Sequence, residues 1–239
     1  MLVTGGTRGI GAAVAELALE AGDVVTVTCR EASPESREMA ERWGDRVRIE
    51  MVDAADVEAA AGLIDRAVAA HGPIDAVVAN AAQIGTIGPF LDSSLQQARR
   101  LLEVNVLGIV ALAQAVARHW VAKAQPGVIV TMGSVAAQSG APGEYPVYAA
   151  SKAAVDSLTR GLGRELAPHG IRVVCVAPGT TDTAMHATAG EPGRAARMAA
   201  RLPFGRVAQP VEVARAVLWA TSDEASYVTA TTITVSGGQ

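Results

Sequence analysis

The chain of 239 residues lacks most features that would place it outside the ordinary globular proteins. It has only two cysteines, Cys29 and Cys175, far apart in β-branched runs, so we expect two buried free thiols and no disulfide. Its four histidines are scattered without metal-ligand spacing, which predicts no metal site. A chain of this length can bury a large core without such crosslinks.

Aromatic residues and positive charge are also scarce. Only eight residues are aromatic, and 20 basic against 24 acidic residues give a formal net charge of −4. Such a surface offers little to a phosphate backbone or to stacked bases, so we expect no nucleic-acid partner. No uncharged apolar run reaches about 18 residues, and the N-terminus lacks a secretory pattern. We therefore expect no membrane partner and a cytoplasmic location.

The chain does contain a regular alternation of short β-branched runs with longer stretches of helical apolar spacing. The predicted strands are residues 1–4, 24–29, 47–52, 74–79, 128–132, 171–176 and 231–235. The predicted helices are residues 10–21, 35–43, 56–70, 95–122, 147–167 and 211–221. Several strands are apolar on both faces, which indicates a sheet covered by helices on both sides. The predicted fold class is α/β: a doubly wound, Rossmann-like three-layer sandwich with a seven-stranded parallel sheet.

One segment, residues 180–209, is too long and too rich in Gly and Pro for an ordinary βα loop. We expect residues 182–206 to form a substrate lid that is mobile without ligand and excludes water when closed. His186 within the lid is expected at the surface. No linker or change of composition occurs elsewhere, so residues 1–239 are predicted to form one dinucleotide-binding and catalytic domain.

A glycine-rich turn, TGGTRGIG at residues 4–11, joins the first predicted strand to the first helix. Glycines at this place permit a sharp turn and let a pyrophosphate approach backbone N–H groups. The spacing differs from GxGxxG, and a tight turn without a ligand is the alternative interpretation.

Charge near this turn favours one of the two nicotinamide dinucleotides. The second strand ends in Thr28-Cys29-Arg30 without an acidic residue that would hold the adenosine ribose, and Arg8 lies inside the turn. Two guanidinium groups can clamp a 2′-phosphate, which favours NADP over NAD. The alternative is that Arg8 and Arg30 are solvated surface residues.

Tyr148 and Lys152 lie four residues apart in a predicted helix, although the chain has only three tyrosines and two lysines. This spacing places them on one face, where an ammonium group would stabilise phenolate and lower the tyrosine pKa. Tyr145 has Ala149 at the corresponding position. We expect it to line the substrate pocket with Gln138, Ser139 and Glu144, with plain packing as the alternative.

Several motifs occur in a fixed order across the whole chain: TGGTRGIG, Asn80-Ala81-Ala82, Asn105, Ser134, YAASK at residues 148–152, and Pro178-Gly179. In these motifs the chain resembles the short-chain dehydrogenase/reductase family, compact single-domain type, and within it the 3-oxoacyl-carrier-protein reductases. The resemblance implies hydride transfer between NADP(H) and a carbonyl or alcohol, with the cofactor lying at the carboxyl ends of the strands.

The resemblance also implies four catalytic residues. Tyr148 would be the general acid in carbonyl reduction, and Ser134 would bind the substrate oxygen. Lys152 would lower the tyrosine pKa and bind the nicotinamide ribose, while Asn105 would hold a water that relays protons. Taken alone, Ser134 is equally a helix-capping residue and Asn105 a back-bonded or kink residue. Ser151 is expected at the helix surface.

The remaining implied contacts are with the cofactor. Asp53 would bind the adenine, with helix capping as the alternative, and Asp56 is the better cap. The full expected cofactor-binding set is Gly5, Thr7, Arg8, Gly9, Ile10, Arg30, Asp53, Ala54, Asn80, Ala81, Tyr148, Lys152, Pro178, Gly179, Thr181 and Thr183.

The predicted function is NADPH-dependent reduction of a small-molecule carbonyl substrate. The alternatives are an NADP-dependent secondary-alcohol dehydrogenase, a biosynthetic tailoring ketoreductase, or a non-catalytic dinucleotide-binding regulator. Family members usually pair their long helices, so we expect a homotetramer or homodimer formed through residues 95–122 and 147–167.

Overall fold

Seven parallel strands form a single sheet in the order β3-β2-β1-β4-β5-β6-β7 in the computed structural model, which describes residues 1–239. The strands are β1 (Leu2–Val3), β2 (Val25–Cys29), β3 (Val47–Met51), β4 (Ala76–Ala79), β5 (Gly127–Met132), β6 (Ile171–Pro178) and β7 (Thr231–Val235). The predicted doubly wound, Rossmann-like fold is confirmed.

Ten α-helices connect or flank these strands. They are α1 (Gly9–Glu20), α2 (Pro34–Trp43), α3 (Ala59–His71), α4 (Leu95–Leu102), α5 (Gly108–Ala122), α6 (Ala136–Ser139), α7 (Pro146–Leu166), α8 (Met185–Thr188), α9 (Arg194–Ala199) and α10 (Pro210–Thr221). The short helices α6, α8 and α9 were not predicted, since their four to six residues are too few to show a helical period.

Two predicted helices differ in the structure. The helix expected from residue 56 begins at Ala59, because Asp56 Oδ1 accepts bonds from the N–H groups of Glu58 and Ala59 and forms a separate turn. The long helix expected over residues 95–122 is interrupted by one π-helical turn, Glu103–Leu107. Such turns widen a helix locally and are frequent at functional sites.

Apolar side chains fill both faces of the sheet. Neighbouring strand residues point to opposite sides, so Val78 packs in the core beneath α1 and α10, whereas Val77 packs in the core beneath α3 and α5. Both faces are covered, which explains the continuous apolar strands in the sequence. Cys29 and Cys175 are buried free thiols, as predicted.

The order of the strands positions the functional site. The chain reverses direction across the sheet between β1 and β4, and a crevice opens there at the carboxyl ends of the strands. The glycine-rich turn, the end of β4 and the lid segment all lie at this edge.

By length and composition, the helical stretch Leu95–Ala122 is apolar enough to cross a membrane, with a mean hydropathy of 1.6. Its inner face packs in the core with α3, and 39% of its most apolar 18-residue stretch is buried inside the protein. A helix in the core of a globular protein can be equally long and apolar.

Candidate active site

The glycine-rich turn has the geometry of an anion-binding loop. Gly5 and Gly9 have φ values of +61° and +57°, which side chains rarely adopt. Helix α1 begins directly after this turn, and no side chain caps its first N–H groups. These free donors and the positive end of the helix dipole fit a pyrophosphate.

Asn80, at the end of β4, fixes the shape of the turn. Its Nδ2 donates to the carbonyl oxygens of Thr4 at 2.9 Å and Gly5 at 3.0 Å. A Cβ at Gly11 would lie only 2.3 Å from the Gly5 oxygen and 2.4 Å from Asn80 Nδ2. Gly11 therefore permits the close approach of α1 to the strand edge, while Asn80 supports the turn from below.

We expect Gly11→Ala to weaken NADPH binding by at least about tenfold and to lower the free energy of unfolding by about 1–3 kcal/mol, because the methyl group overpacks the turn. Fluorescence titration with NADPH and urea unfolding would measure the two effects. Gly88→Ala is the control, since nothing lies within 4 Å of its added Cβ. Wild-type NADPH affinity in Gly11→Ala would contradict the binding of the pyrophosphate by the glycine-rich turn.

The adenosine side of the crevice carries the residues predicted to select the cofactor. Arg8 is exposed at the start of α1, and Arg30 is exposed and pairs with Glu31 at 3.3 Å. Both guanidinium groups are therefore open to solvent and available to an anion. Glu31 follows Arg30 directly and competes with a bound anion for its guanidinium group.

Asp53 and Ala54 lie beside a small cavity that Thr28 and Ala81 also line. Asp53 accepts bonds from the Ala55 N–H and from Arg100. Burial opposes ionisation, but these hydrogen bonds hold the pKa of Asp53 below its ordinary value. Asp53 Oδ1 thus caps the turn after β3 and not a helix, since α3 begins only at Ala59, and the other carboxylate oxygen is engaged by Arg100.

The opposite wall of the crevice is the segment after β6. The N–H of Gly179 donates to Val235 O at 2.9 Å, and Thr181 pairs with Ala208 at the base of the lid. Thr183 Cγ2 would lie 3.3 Å from a Cβ at Gly9. The structure therefore brings Thr183 against the glycine-rich turn. Of the other expected cofactor residues, Thr7 is buried in the turn, Ile10 is half-buried at the start of α1, and Pro178 ends β6.

Tyr148 and Lys152 lie on the buried face of α7, as their spacing predicted. Lys152 Nζ donates to Met132 O at 2.8 Å and lies 5.6 Å from the centre of the Tyr148 ring. Ser134 follows β5; its hydroxyl accepts the Ala136 N–H at 3.1 Å, and its side chain lies close enough to the Tyr148 phenol to favour the phenolate form. Ser134 therefore caps the turn that leads into α6 and lies beside Tyr148, and its binding of a substrate oxygen stays a prediction.

The electrostatic state of this group differs from the expectation. Burial raises the pKa of Tyr148 to about 12, although the Ser134 hydrogen bond and the more distant Arg194 charge favour phenolate. Burial also lowers the pKa of Lys152 to about 8. Lys152 does not lower the tyrosine pKa in this structure, because its ammonium donates to Met132 O and the burial of the phenol dominates. The lowering expected with a bound nicotinamide stays a prediction.

Asn105 lies in the π-helical turn and is completely buried. Its side-chain amide clamps the loop after β4: Oδ1 accepts the Gln83 N–H at 2.8 Å, and Nδ2 donates to Gln83 O at 2.8 Å. Nδ2 also donates to Ser151 Oγ at 3.1 Å. Both amide protons are therefore engaged by the protein, and the water-holding role of Asn105 stays a prediction.

Ser151 was wrongly placed at the helix surface. It is completely buried, and its hydroxyl donates to Tyr148 O at 2.7 Å while accepting from Asn105. Ser151 therefore couples the π-helical turn to the helix that carries Tyr148. The spacing contained this signal, because a residue three positions after Tyr148 shares its face of a helix.

The expected lid contains α8 and α9 and covers Tyr148. Ala189 packs in the same apolar cluster as Tyr148. His186 was wrongly expected at the surface: it is 9% exposed, and its Nε2 lies 2.9 Å from Thr181 O. Sequence reasoning also missed Arg194, which is 1% exposed and bonds to Glu144 and Tyr145. No local pattern singles out Arg194, because its partners lie about 50 residues away in the chain.

Comparison with known proteins agrees with this geometry. A family model described as enoyl-(acyl carrier protein) reductase matches residues 5–239. An uncharacterized oxidoreductase of Escherichia coli, YgfF, is 38% identical over 100% of this chain and 98% of its own length. A cis-4-hydroxycyclohexanecarboxylate dehydrogenase of Sinomonas cyclohexanicum is 37% identical, with coverage of 99% and 94%.

A solved structure extends this agreement to three dimensions. The crystal structure of a short-chain dehydrogenase from Burkholderia cenocepacia in complex with NADP superposes with a TM-score of 0.89. The two chains are 33% identical, and the match covers 99% of this chain and 96% of the other. The chain belongs to the short-chain dehydrogenase/reductase family of oxidoreductases.

Proposed function

We propose that this protein is an NADPH-dependent ketoreductase in which Tyr148 donates the proton to the carbonyl oxygen. The observation that carries the proposal is the grouping of Tyr148 with Ser134 and Lys152 at the carboxyl edge of the sheet, beside the glycine-rich turn. A proton donor and a second hydroxyl at one point suit a carbonyl oxygen that gains negative charge as it is reduced.

The choice of NADPH has three supports. Arg8 and Arg30 are exposed near the end of β2, and β2 itself ends without an acidic residue. The turn and the uncapped start of α1 fit the pyrophosphate. The related Burkholderia enzyme was crystallised with NADP. When bound, the reduced nicotinamide supplies the hydride that reaches the carbonyl carbon.

The residues of this chain would do the remaining work. Ser134 would hold the substrate oxygen by a hydrogen bond, and Tyr148 would deliver its phenolic proton to that oxygen as charge develops there. Lys152 would place positive charge near the phenolate that remains. The lid would keep water out during the transfer. Asn105 and Ser151 would hold the loop after β4 and helix α7 in register.

The same residues serve both directions of the reaction. In reduction the protonated Tyr148 phenol would donate a proton, and in oxidation its phenolate would accept one. The second candidate, an NADP-dependent secondary-alcohol dehydrogenase, uses the same residues in reverse and is favoured by the Sinomonas relative.

We expect the Tyr148 phenol to ionise late in the cofactor-free protein, near pH 12, and at least about one pH unit earlier with NADP⁺ bound. A positive charge beside the phenol favours its charged form, so the pKa must move down. Ultraviolet difference titration of the wild type against Tyr148→Phe isolates this group from the other tyrosines. The same late ionisation with and without NADP⁺ would contradict the proposed placement of the nicotinamide beside Tyr148.

A substrate screen tests the proposal as a whole. NADPH oxidation would be followed with β-keto thioesters, cyclic ketones and aromatic ketones, and each product would be identified as an alcohol of measured chirality. We expect turnover with at least one class, and faster turnover with NADPH than with NADH. NADPH binding without turnover across the panel would favour the non-catalytic regulator instead.

We also propose a homo-oligomer, with the homotetramer as the expected form. The helices α4 and α5 and the π-helical turn between them expose five apolar side chains: Leu95, Leu102, Leu107, Val110 and Val121. Burial of this face against a second copy would remove them from water. Sedimentation velocity would test this proposal, and a monomer at micromolar concentration would contradict it.

A further inference from the structure

One charged residue of the lid touches the segment that precedes the catalytic helix. Arg194 in α9 is 1% exposed, and its guanidinium donates to Tyr145 Oη at 2.5 Å. It also lies over the Tyr145 ring, 5.0 Å from the ring centre, and pairs with Glu144. A buried cation with this many specific contacts holds Tyr145 in one orientation.

Tyr145 in turn packs against the proposed proton donor. The Tyr145 and Tyr148 rings meet edge to face, with their centres 5.4 Å apart and an angle of 89° between their planes. Tyr145 immediately precedes Pro146, the first residue of α7, so its side chain and the start of α7 move together. The contacts run unbroken from Arg194 through Tyr145 to Tyr148.

We propose that Arg194 is a positioning residue that, by way of Tyr145, aligns Tyr148 for proton transfer when the lid is closed. This inference rests on the proposed function and adds to it a residue of the lid. Arg194 is not required to touch the substrate. Closure of the lid would thus orient the Tyr148 hydroxyl and exclude water from the site at the same time.

The charges around these side chains are nearly balanced. Ser134, Tyr145 and Arg194 influence the ionisation of Tyr148, and Lys152 Nζ lies 5.6 Å from the centre of its ring. Glu144, His186, Glu191 and Arg197 surround Arg194. Among them, the guanidinium charge of Arg194 favours the phenolate form of Tyr148, whereas the Tyr145 hydroxyl opposes it. Loss of Arg194 should therefore raise the pKa of Tyr148.

Two variants test the chain of contacts at different links. Tyr145→Phe keeps the ring and removes the hydroxyl that accepts from Arg194, while Arg194→Met removes the charge and keeps the length of the side chain. We expect each to lower kcat by about tenfold with an unchanged NADPH Kd. The double variant should lose little more than either single variant, because the two side chains act through one contact.

Arg197→Gln is the matched control. Arg197 binds the same two glutamates, but it is more exposed and its hydrogen bonds do not reach Tyr145. We expect its kcat to stay within about twofold of the wild type. Arg194→Lys keeps the charge, so we expect the Tyr148 pKa in its NADP⁺ complex to return to the wild-type value from the higher value of Arg194→Met. Its kcat should recover only in part. Ultraviolet difference titration would measure the pKa.

Several outcomes would overturn the inference: wild-type kcat in Tyr145→Phe, equal losses in Arg197→Gln and Arg194→Met, or additive losses in the double variant. If Arg194→Met does not fold, Tyr145→Phe alone decides. Failure of the proposed function is a separate result. In that case Tyr148→Phe itself would retain turnover, whereas failure of this inference alone leaves Tyr148→Phe inactive.

Discussion

Replacing Tyr148 with phenylalanine is expected to lower kcat for ketone reduction by about 10²–10⁴-fold. This corresponds to about 3–5 kcal/mol of lost transition-state stabilisation. The ring remains, so the edge-to-face contact with Tyr145 and the packing beneath the lid are kept. Only the proton donor is removed. The loss should therefore appear in kcat, while the NADPH Kd from fluorescence titration stays within about twofold.

Tyr227→Phe provides the control for the substitution itself. Tyr227 is fully exposed, so the loss of its hydroxyl should leave kcat unchanged. A melting temperature of Tyr148→Phe close to that of the wild type would show that the fold is intact. Turnover within about fivefold of the wild type would remove Tyr148 from the role of general acid, since a water or Tyr145 would then supply the proton.

Replacing Arg30 with aspartate is expected to reverse the choice of cofactor. The substitution removes one guanidinium from the 2′-phosphate and introduces a carboxylate that can bind the ribose hydroxyls of NADH. A charge-assisted hydrogen bond contributes about 1.5–3 kcal/mol, so NADPH affinity should fall by about 10- to 100-fold. NADH affinity should rise, since the new carboxylate can accept hydrogen bonds from its free ribose hydroxyls.

Glu31 makes this prediction sharper. In the structure Glu31 pairs with Arg30, so Glu31→Gln should strengthen NADPH binding by freeing the guanidinium. Arg164→Asp is the control for charge reversal, because it lies near the far end of α7, away from the glycine-rich turn. An unchanged ratio of NADPH to NADH affinity in Arg30→Asp would show that the 2′-phosphate binds elsewhere.

Most of the fold was predictable because its signals are local. Strands buried on both faces are continuously apolar, as in β4 and in β6 after Arg172, and the helices between them have clear apolar periods. The breaks in regular structure were not predictable. The π-helical turn at Glu103–Leu107 arises where Asn105 reaches across to Gln83 and Ser151, and neither contact is local in sequence.

In the candidate site, too, the features that local spacing determines were predictable and those that depend on long-range contacts were not. Tyr148 and Lys152 are recognisable because their spacing on one helix fixes their common face. The state of ionisation was not recognisable, since it depends on burial beneath a lid whose contacts are long-range. Arg194 and His186 were missed for the same reason: a surface segment rich in Gly, Ala and Arg gives no sign that two of its side chains turn inward.

A crystal structure of the enzyme with NADP⁺ and an alcohol product bound would test whether Tyr148 is the proton donor. We expect the product oxygen to lie within hydrogen-bond distance of both Tyr148 Oη and Ser134 Oγ, with the carbinol carbon facing the nicotinamide. A product oxygen bound to Tyr145, or a Tyr148 hydroxyl directed away from the nicotinamide in every subunit, would contradict this role of Tyr148.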